Sequence, residues 1–256
     1  MCLLNFRPLP MCSDFYAVVV ITAALIAGCG NPDPNEPDEP NAPPVLSESA
    51  GSTSSAPSDA DSASVRILFL GDSITAGYGI DQAEAFPARV ETRLQGAGYN
   101  VYGIDAGVSG DTSTGGLNRL DWLLQNRVDI LVLELGGNDG LRGINLSLTR
   151  SNLGAIIDKT RDLWPQSEIV LVGMRVPPNL GIDYTEEFAD MYPDLATAYE
   201  THFVPFIAER FEDIMDLVQT DGIHPTEEGH AVIAEKIGDA VEPLVSHIQA
   251  ERMQAD

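Results

Sequence analysis

Ser73 is the candidate nucleophile of this chain, and it lies in the segment Gly71-Asp72-Ser73-Ile74. A serine hydroxyl is a weak nucleophile until a base removes its proton. Because a short apolar run precedes the segment, we expect Ser73 at a strand-to-helix turn, where its backbone N–H could face a developing negative charge. On these residues alone, Ser73 could instead cap the next helix, a position that serine favours.

His224 is the candidate base, because Asp221 precedes it by three residues in Asp221-Gly222-Ile223-His224-Pro225. An aspartate held close to a histidine can fix the histidine tautomer and stabilise the imidazolium that forms during catalysis. The glycine and proline predict a loop, and the following residues 225–228 predict the start of a helix. In so acidic a chain, a loop histidine with a chance acidic neighbour is the alternative.

Gly110 and Asn138 are candidates for stabilising the negative charge that forms on a carbonyl oxygen under attack. Asn138 lies in Gly136-Gly137-Asn138-Asp139, and its side-chain amide could donate to a tetrahedral intermediate. Gly110 lies in the segment Gly107-Val108-Ser109-Gly110-Asp111-Thr112 and offers a backbone N–H with no side chain in the way. Gly-Asn and Gly-Asp pairs are also ordinary turn formers, so turn formation is the alternative for both segments.

The strands that would position these residues are predicted from continuous apolar runs. Such runs are typical of strands buried on both faces of a parallel sheet. Three runs are strong, and the second and fifth are weaker. The predicted strands are Arg66–Leu70, Asn100–Asp105, Asp129–Leu135, Glu168–Gly173 and His202–Phe206.

Helical segments alternate with these strands. This alternation predicts an α/β fold, a three-layer, doubly wound, flavodoxin-like sandwich with a central parallel sheet of about five strands. Ligands bind outside the carboxyl ends of the strands in such a sheet, so chemistry is expected just after each strand. His230 and His247 fall in the last helix and are expected to pack or to face solvent. The predicted helices are Phe86–Gln95, Thr114–Gln125, Thr149–Trp164, Glu186–Glu200 and Thr226–Ile248.

The four polar segments, taken in order, resemble the consensus blocks of the SGNH (GDSL-type) serine hydrolase family. The resemblance covers about residues 66–245. Ile74 stands where the family usually has leucine. The residues after the second and third blocks, Thr114-Gly115-Gly116-Leu117 and Gly140-Leu141-Arg142-Gly143, are similar to the thioesterase, lysophospholipase and arylesterase branch.

The resemblance implies a role for each matching residue. Ser73 would attack the ester carbonyl, His224 would take and return the proton, and Asp221 would orient His224. The N–H groups of Ser73 and Gly110 and the Asn138 amide would form the oxyanion hole. The family implies no metal ion and no organic cofactor, and it implies a small-molecule ester as the substrate.

Neighbouring residues have less specific predictions. No catalytic role is predicted for the acids beside the blocks, which are either structural hydrogen-bond partners or chance acids: Asp72, Asp111 and Asp139. The loop Met174–Gly181 follows the fourth strand and is a candidate wall of the substrate pocket, although an ordinary loop is the alternative.

The resemblance implies a carboxylic-ester hydrolase that acts on short acyl or aryl esters through an acyl-enzyme. A lysophospholipase, an acyl thioesterase or a carbohydrate deacetylase would use the same chemistry. The non-enzymatic alternative is an envelope lipoprotein that binds a ligand. Loss of Ser73, Asn138 or His224 would have favoured that alternative, and all three are present.

The net charge of the chain limits the classes of partner that it is expected to bind. The formal net charge is -25, from 39 acidic and 14 basic residues. A chain this acidic lacks the basic surface that displaces counterions from nucleic acid, so no nucleic-acid partner is expected. It would also be repelled by an anionic membrane surface unless something anchors it.

The N-terminal residues predict export. Ala17–Ala27 is an apolar run that is too short to span a bilayer, which needs about 20 residues, and it suits a signal peptide. Ile26-Ala27-Gly28-Cys29 resembles the bacterial lipobox, in which the chain is cut before a cysteine that then carries lipid. The basic leader is weak, since Arg7 is its one basic side chain, and a plain secretory signal is the alternative.

The predicted organisation has three parts. Residues 1–28 are predicted to be a lipoprotein-type signal peptide. Residues 29–64 are predicted to contain the lipidated Cys29 and a disordered, acidic, Pro/Ser-rich linker. Residues 65–250 are predicted to form the hydrolase domain. The expected location is the bacterial cell envelope, or outside the cell if Cys29 is not lipidated. No cysteine follows Cys29, which excludes a disulfide or a cysteine nucleophile in the domain.

Overall fold

A computed structural model describes residues 64–206 and 215–255 of the chain. The predictions for the signal peptide, for Cys29 and for linker residues 29–63 lie outside the described residues. The described residues form a five-stranded, wholly parallel sheet in the order β2-β1-β3-β4-β5. The strands are β1 Val65–Gly71, β2 Val101–Gly107, β3 Ile130–Glu134, β4 Glu168–Val172 and β5 His202–Val204.

Helices cover both faces of this sheet. Helices α1 and α6 pack together on one face, and α2, α4 and α5 pack on the other. No helix within the described residues is both long and apolar enough to span a bilayer. The helices are α1 Phe86–Gly96, α2 Ser113–Leu123, α3 Gly137–Leu141, α4 Leu146–Leu163, α5 Ile182–Ala198 and α6 Glu227–Ala255.

The core has two halves because the side chains of each strand alternate between the two faces of the sheet. In β1, Ile67 and Phe69 pack with α1 and α6, whereas Leu68 and Leu70 pack with α2, α4 and α5. All four side chains are fully buried. Burial on both faces explains why β1 and β3 are continuous apolar runs, and the prediction of a doubly wound sandwich is confirmed.

The helix boundaries differ from the predicted ones where capping or tertiary contacts outweigh the local pattern. Helix α4 begins at Leu146, three residues before the predicted start, because the Asn145 side chain accepts a hydrogen bond from the Ser147 N–H. Helix α6 continues to Ala255 through Pro243. The one-turn helix α3 was not predicted, and it contains Asn138.

Candidate active site

Ser73, His224 and Asp221 form a continuous hydrogen-bonded chain. His224 Nε2 lies 2.9 Å from Ser73 Oγ, and His224 Nδ1 lies 2.6 Å from Asp221 Oδ2. Because a carboxylate can only accept, Nδ1 carries the proton and Nε2 is left to accept from the serine hydroxyl. This is the tautomer that a general base acting on Ser73 requires.

The loop between β5 and α6 holds Asp221 and His224 in this arrangement. Asp221 Oδ1 accepts hydrogen bonds from the N–H groups of Ile223, at 2.9 Å, and His224, at 3.0 Å. Gly222 permits the turn because its φ is +71°. Desolvation opposes ionisation of Asp221, but the hydrogen bonds from the His224 side chain and these two N–H groups outweigh it, and the pKa of Asp221 lies at about 2. Asp221 is therefore a carboxylate at any ordinary pH.

Ser73 lies just after β1 in a series of turns rather than at the start of a regular helix. The Ala76 N–H donates to the Asp72 carbonyl and the Tyr78 N–H to the Ser73 carbonyl, each at 3.0 Å. The helix cap that served as the alternative for Ser73 does not form, because α1 begins only at Phe86. The Ser73 hydroxyl is held by His224 instead.

Tyr78, which was not singled out from the sequence, packs against the imidazole ring of His224. Its ring centroid lies 4.4 Å from that of His224, at an interplanar angle of 35°. The position of Tyr78 depends on the turns after β1. No local sequence signal identifies this contact, since Tyr78 and His224 are far apart in the chain.

Asn138 and Gly110 lie in neighbouring loops at the same carboxyl edge. Asn138 is in the first turn of α3, which follows Gly136 in a left-handed conformation, with φ of +114°. Gly110 is also left-handed, with φ of +80°. Arg142, which directly follows α3, donates to the Gly110 carbonyl at 3.1 Å and thereby links the two segments.

Asp72 holds the Asn138 side chain and is therefore a structural hydrogen-bond partner, one of the two alternatives that the sequence left open for it. Asp72 Oδ2 accepts from Asn138 Nδ2 at 3.2 Å, and Asp72 Oδ1 accepts from the Ile74 N–H at 3.0 Å. An amide nitrogen has two protons, so the proton that Asp72 does not accept is free to donate elsewhere. The side chain of Asp72 is therefore placed to orient the amide of Asn138.

The ionisation of Asp72 is affected by its burial. Desolvation raises its pKa to about 6, while the Ile74 N–H, the charge of His224 and the Asn138 amide act in the opposite direction. Glu134, at the end of β3, is fully buried beside it, and desolvation together with the Asp72 charge holds the pKa of Glu134 well above its usual range. Thr75 Oγ1 donates to Glu134 at 2.7 Å. Two carboxyl groups thus lie beneath the candidate nucleophile.

The other two acids beside the polar segments are structural partners. Asp139 accepts from the Ser113 N–H at 2.8 Å and from Thr149 Oγ1 at 3.1 Å, joining three elements. Asp111 forms an ion pair with Arg119 at 2.8 Å. His230 is fully buried in α6, where its Nδ1 accepts from the Phe86 N–H, and His247 is exposed.

A cavity of about 240 Å³ begins at Ser73 and runs between β4, β5 and α6. Its walls are mostly apolar and include Met174–Pro177, so the loop after β4 does form part of a pocket. Apart from the acids and the residues of the candidate site, the polar side chains lining it are Arg175 and Lys236. Within the described residues, no cluster of three or more histidine, cysteine or acidic side chains could hold a metal ion.

Comparisons with known proteins show the family to which this chain belongs. The model of the GDSL-like Lipase/Acylhydrolase family matches residues 69–232. An arylesterase of Vibrio mimicus is 37% identical over 192 residues, covering 75% of this chain and 94% of the relative. The thioesterase 1/protease 1/lysophospholipase L1 of Escherichia coli K12 is 36% identical over 182 residues, covering 71% of this chain and 85% of the relative. The crystal structure of TesA is 37% identical with a TM-score of 0.65, covering 70% of this chain and 99% of that one.

Proposed function

Because the chain belongs to the GDSL-like lipase/acylhydrolase family, it is an ester hydrolase, and we propose that Ser73, His224 and Asp221 perform the reaction. The observation that carries the proposal is the unbroken hydrogen-bonded chain from Ser73 Oγ to the Asp221 carboxylate, at 2.9 and 2.6 Å. It supplies a nucleophile, a general base in the required tautomer, and a charge that stabilises the base once it is protonated.

The geometry supports a two-step mechanism. In the first step, Ser73 Oγ attacks the ester carbonyl while its proton passes to His224 Nε2. The resulting oxyanion accepts hydrogen bonds from the N–H groups of Ser73 and Gly110 and from the Asn138 amide, which Asp72 orients. The intermediate collapses when His224 donates its proton to the departing alcohol. In the second step, His224 activates a water that attacks the acyl-enzyme and releases Ser73.

Short acyl and aryl esters are the proposed substrates. The cavity beside Ser73 has an apolar wall and a volume of about 240 Å³. An acyl chain of moderate length fits this space better than a carbohydrate, whose hydroxyl groups would lose hydrogen bonds there. Lysophospholipids and acyl thioesters are the second candidates, supported by the same apolar wall and by the name of the Escherichia coli relative.

The first test compares Ser73→Ala with the wild type on p-nitrophenyl esters from acetate to palmitate. We expect kcat to fall by at least about 10³-fold, because the remaining binding and oxyanion contacts cannot replace the nucleophile. Ser151→Ala is the matched control, since Ser151 is exposed on α4 and lines neither the site nor its cavity. Equal rates for Ser73→Ala and the wild type would contradict the mechanism.

We further propose that the chain is exported and lipidated at Cys29. The support is sequence-based: the apolar run Ala17–Ala27 followed by Ile26-Ala27-Gly28-Cys29. Expressed in a bacterium, the full chain should enter the detergent phase of a phase-separating detergent, because an acyl chain adds about 0.8 kcal/mol of membrane affinity per methylene. Cys29→Ser should leave the protein in the aqueous phase. If the two proteins partition alike, the lipid anchor is wrong and a plain secretory signal is favoured.

A further inference from the structure

Arg175 and Lys236 differ from the other basic side chains that the structure describes. Elsewhere in residues 64–206 and 215–255, each arginine and lysine side chain contacts a carboxylate or a backbone carbonyl through a hydrogen bond or an ion pair. Arg175 and Lys236 have no such contact in this part of the chain. Because the chain has 39 acidic residues, a cation on its surface would be expected to form an ion pair with a carboxylate.

The two cations share a location in the fold. Both line the cavity that begins at Ser73, and both also line a second, more open cavity that adjoins it. The second cavity contacts none of Ser73, His224 and Asn138. Arg175 and Lys236 therefore lie where the two cavities meet, whereas Ser73, His224 and Asn138 line the first cavity alone.

Apolar side chains line the cavity that Ser73 shares with these cations. On α6, Lys236 lies next to Ile237 and one turn after Ile233, and both isoleucines are buried and line the first cavity with Val172 and Val204. Lys236 is half-buried, so less solvent screens its attraction for an anion than in bulk water, whereas Arg175 is exposed. Acids oppose this at other points of the cavities: Asp72 and Glu134 lie at the Ser73 end, and Asp190 lines the second cavity.

We propose that Arg175 and Lys236 form an anion subsite, so that the preferred substrates carry a carboxylate or phosphate joined to the scissile ester by an apolar chain of several carbons. This inference rests on the proposed ester hydrolysis at Ser73 and defines its substrate class. The apolar stretch occupies the wall of the first cavity, and the anion lies at the junction, away from Asp72 and Glu134. The anion belongs either to the acyl group or to the alcohol of the substrate.

Two matched pairs of esters test the subsite and separate these sources. For the acyl side, mono-p-nitrophenyl suberate is compared with neutral p-nitrophenyl octanoate. For the alcohol side, 8-acetoxyoctyl phosphate is compared with neutral octyl acetate. The quantity measured is the ratio of kcat/KM for the anionic ester to that for its neutral partner, determined on the full chain.

The double variant Arg175→Met/Lys236→Met should lower this ratio by about tenfold for at least one pair, which corresponds to about 1.4 kcal/mol and suits two partly screened ion pairs. Adding salt should shrink the difference in this ratio between the wild type and the double variant, because it screens the two cations. The control Arg150→Met/Lys159→Met removes the same charge from α4, where both residues pair with surface acids and line neither cavity. The ratio should not change in this control.

Each outcome decides the proposal. A fall confined to the suberate pair assigns the anion to the acyl group, and one confined to the octyl acetate pair assigns it to the alcohol. Equal ratios in the double variant and the wild type for both pairs would overturn the subsite, as would an equal fall in the control. The neutral esters report separately on Ser73, so failure of the subsite is distinguishable from failure of ester hydrolysis.

Discussion

At the scale of single residues, the orientation of Asn138 depends on Asp72. A side-chain amide has an oxygen on one side and a nitrogen on the other, and only the nitrogen can donate to an oxyanion. Asp72 accepts from Asn138 Nδ2 at 3.2 Å and so excludes the flipped amide, which would bring two oxygens together. Asp72 is a positioning residue in this mechanism, because it acts through Asn138 and does not contact the substrate.

Replacing Asp72 by asparagine should therefore lower activity through Asn138. The introduced amide can donate as well as accept, so the flipped Asn138 becomes available and the oxyanion loses a donor in that state. We expect Asp72→Asn to lower kcat on p-nitrophenyl butyrate by about 10- to 100-fold, with a smaller change in KM, since loss of one oxyanion donor costs about 10²–10³.

A double-mutant cycle separates this positioning role from general damage to the site. Asn138→Ala should cost much less in the Asp72→Asn background than in the wild type, because the same hydrogen bond is already compromised. Additive effects of the two substitutions would show that Asp72 acts independently of Asn138, and the positioning role would be wrong.

The same substitution should stabilise the fold at neutral pH. Desolvation raises the pKa of Asp72 from 3.8 to about 6, so the folded state prefers the protonated form. For an acid whose pKa is raised on folding, the folded wild type has its full stability below pH 3.8 and loses part of it as the pH rises through 6. The charged form then costs about 3 kcal/mol, because a tenfold change in the ionisation constant corresponds to about 1.4 kcal/mol.

Urea unfolding of Asp72→Asn and the wild type at pH 4.5 and pH 7.5 measures this cost. The variant should gain free energy of unfolding relative to the wild type at pH 7.5, and the gain should shrink at pH 4.5. A difference that does not vary with pH would contradict the charge-based explanation. A variant that is both more stable and less active would show that the site retains a buried charge at the expense of stability.

At the scale of elements, glycine allows β2 to approach the turn that carries Ser73. Gly107 ends β2, and a Cβ at this position would lie 2.2 Å from the Ala76 backbone nitrogen. Backbone atoms cannot move aside as a flexible side chain can, so the two segments would have to separate. The position of Ser73 thus depends on the absence of a side chain on a neighbouring strand.

Gly107→Ala should destabilise the fold by about 1–3 kcal/mol, the usual range for overpacking, and should also lower kcat because it displaces the turn after β1. The control is Gly96→Ala at the end of α1, where a Cβ would meet no atom within 4 Å. That change should be neutral or slightly stabilising, because alanine favours a helix over glycine. Urea unfolding and p-nitrophenyl butyrate hydrolysis measure both effects, and equal stabilities for the two variants would contradict the close approach.

At the scale of the whole molecule, the formal net charge of -25 creates repulsion that opposes compaction. Most described cations pair with acids or carbonyl groups, but the chain has 39 acidic residues for 14 basic ones. The excess negative charge also makes an anionic substrate an unfavourable partner for most of the surface. Two neighbouring cations such as Arg175 and Lys236 could attract an anionic substrate locally.

Salt should raise the thermal stability of the full chain. The screening length shortens from about 30 Å in 10 mM salt to about 10 Å in 0.1 M, which weakens repulsion between separated carboxylates. We expect the Tm to rise by at least about 3 °C over this range, which corresponds to roughly 1 kcal/mol for a chain of this size. NaCl and KCl should act alike in differential scanning calorimetry. A constant or falling Tm would show that repulsion does not limit stability.

The sequence by itself determined the architecture and the polar segments of the site. Continuous apolar runs predicted β1, β3 and β4, because residues buried on both faces leave a local pattern, whereas the partly exposed edge strands β2 and β5 left weaker runs. Asp221 and His224 were found through their spacing in one short loop. Ser73, Gly110 and Asn138 were found because each follows a predicted strand, and parallel strands bring their carboxyl ends to one edge.

The tertiary structure decided which of these residues meet and in which state. Ser73 and His224 are 151 positions apart in the chain, and Asp72 and Asn138 are 66 apart, so neither contact leaves a local pattern. The raised pKa of Asp72 comes from desolvation, which depends on everything packed around it. The lack of partners for Arg175 and Lys236 within the described residues is likewise a property of packing, because a sequence shows which charges exist and only the fold shows which of them are neutralised.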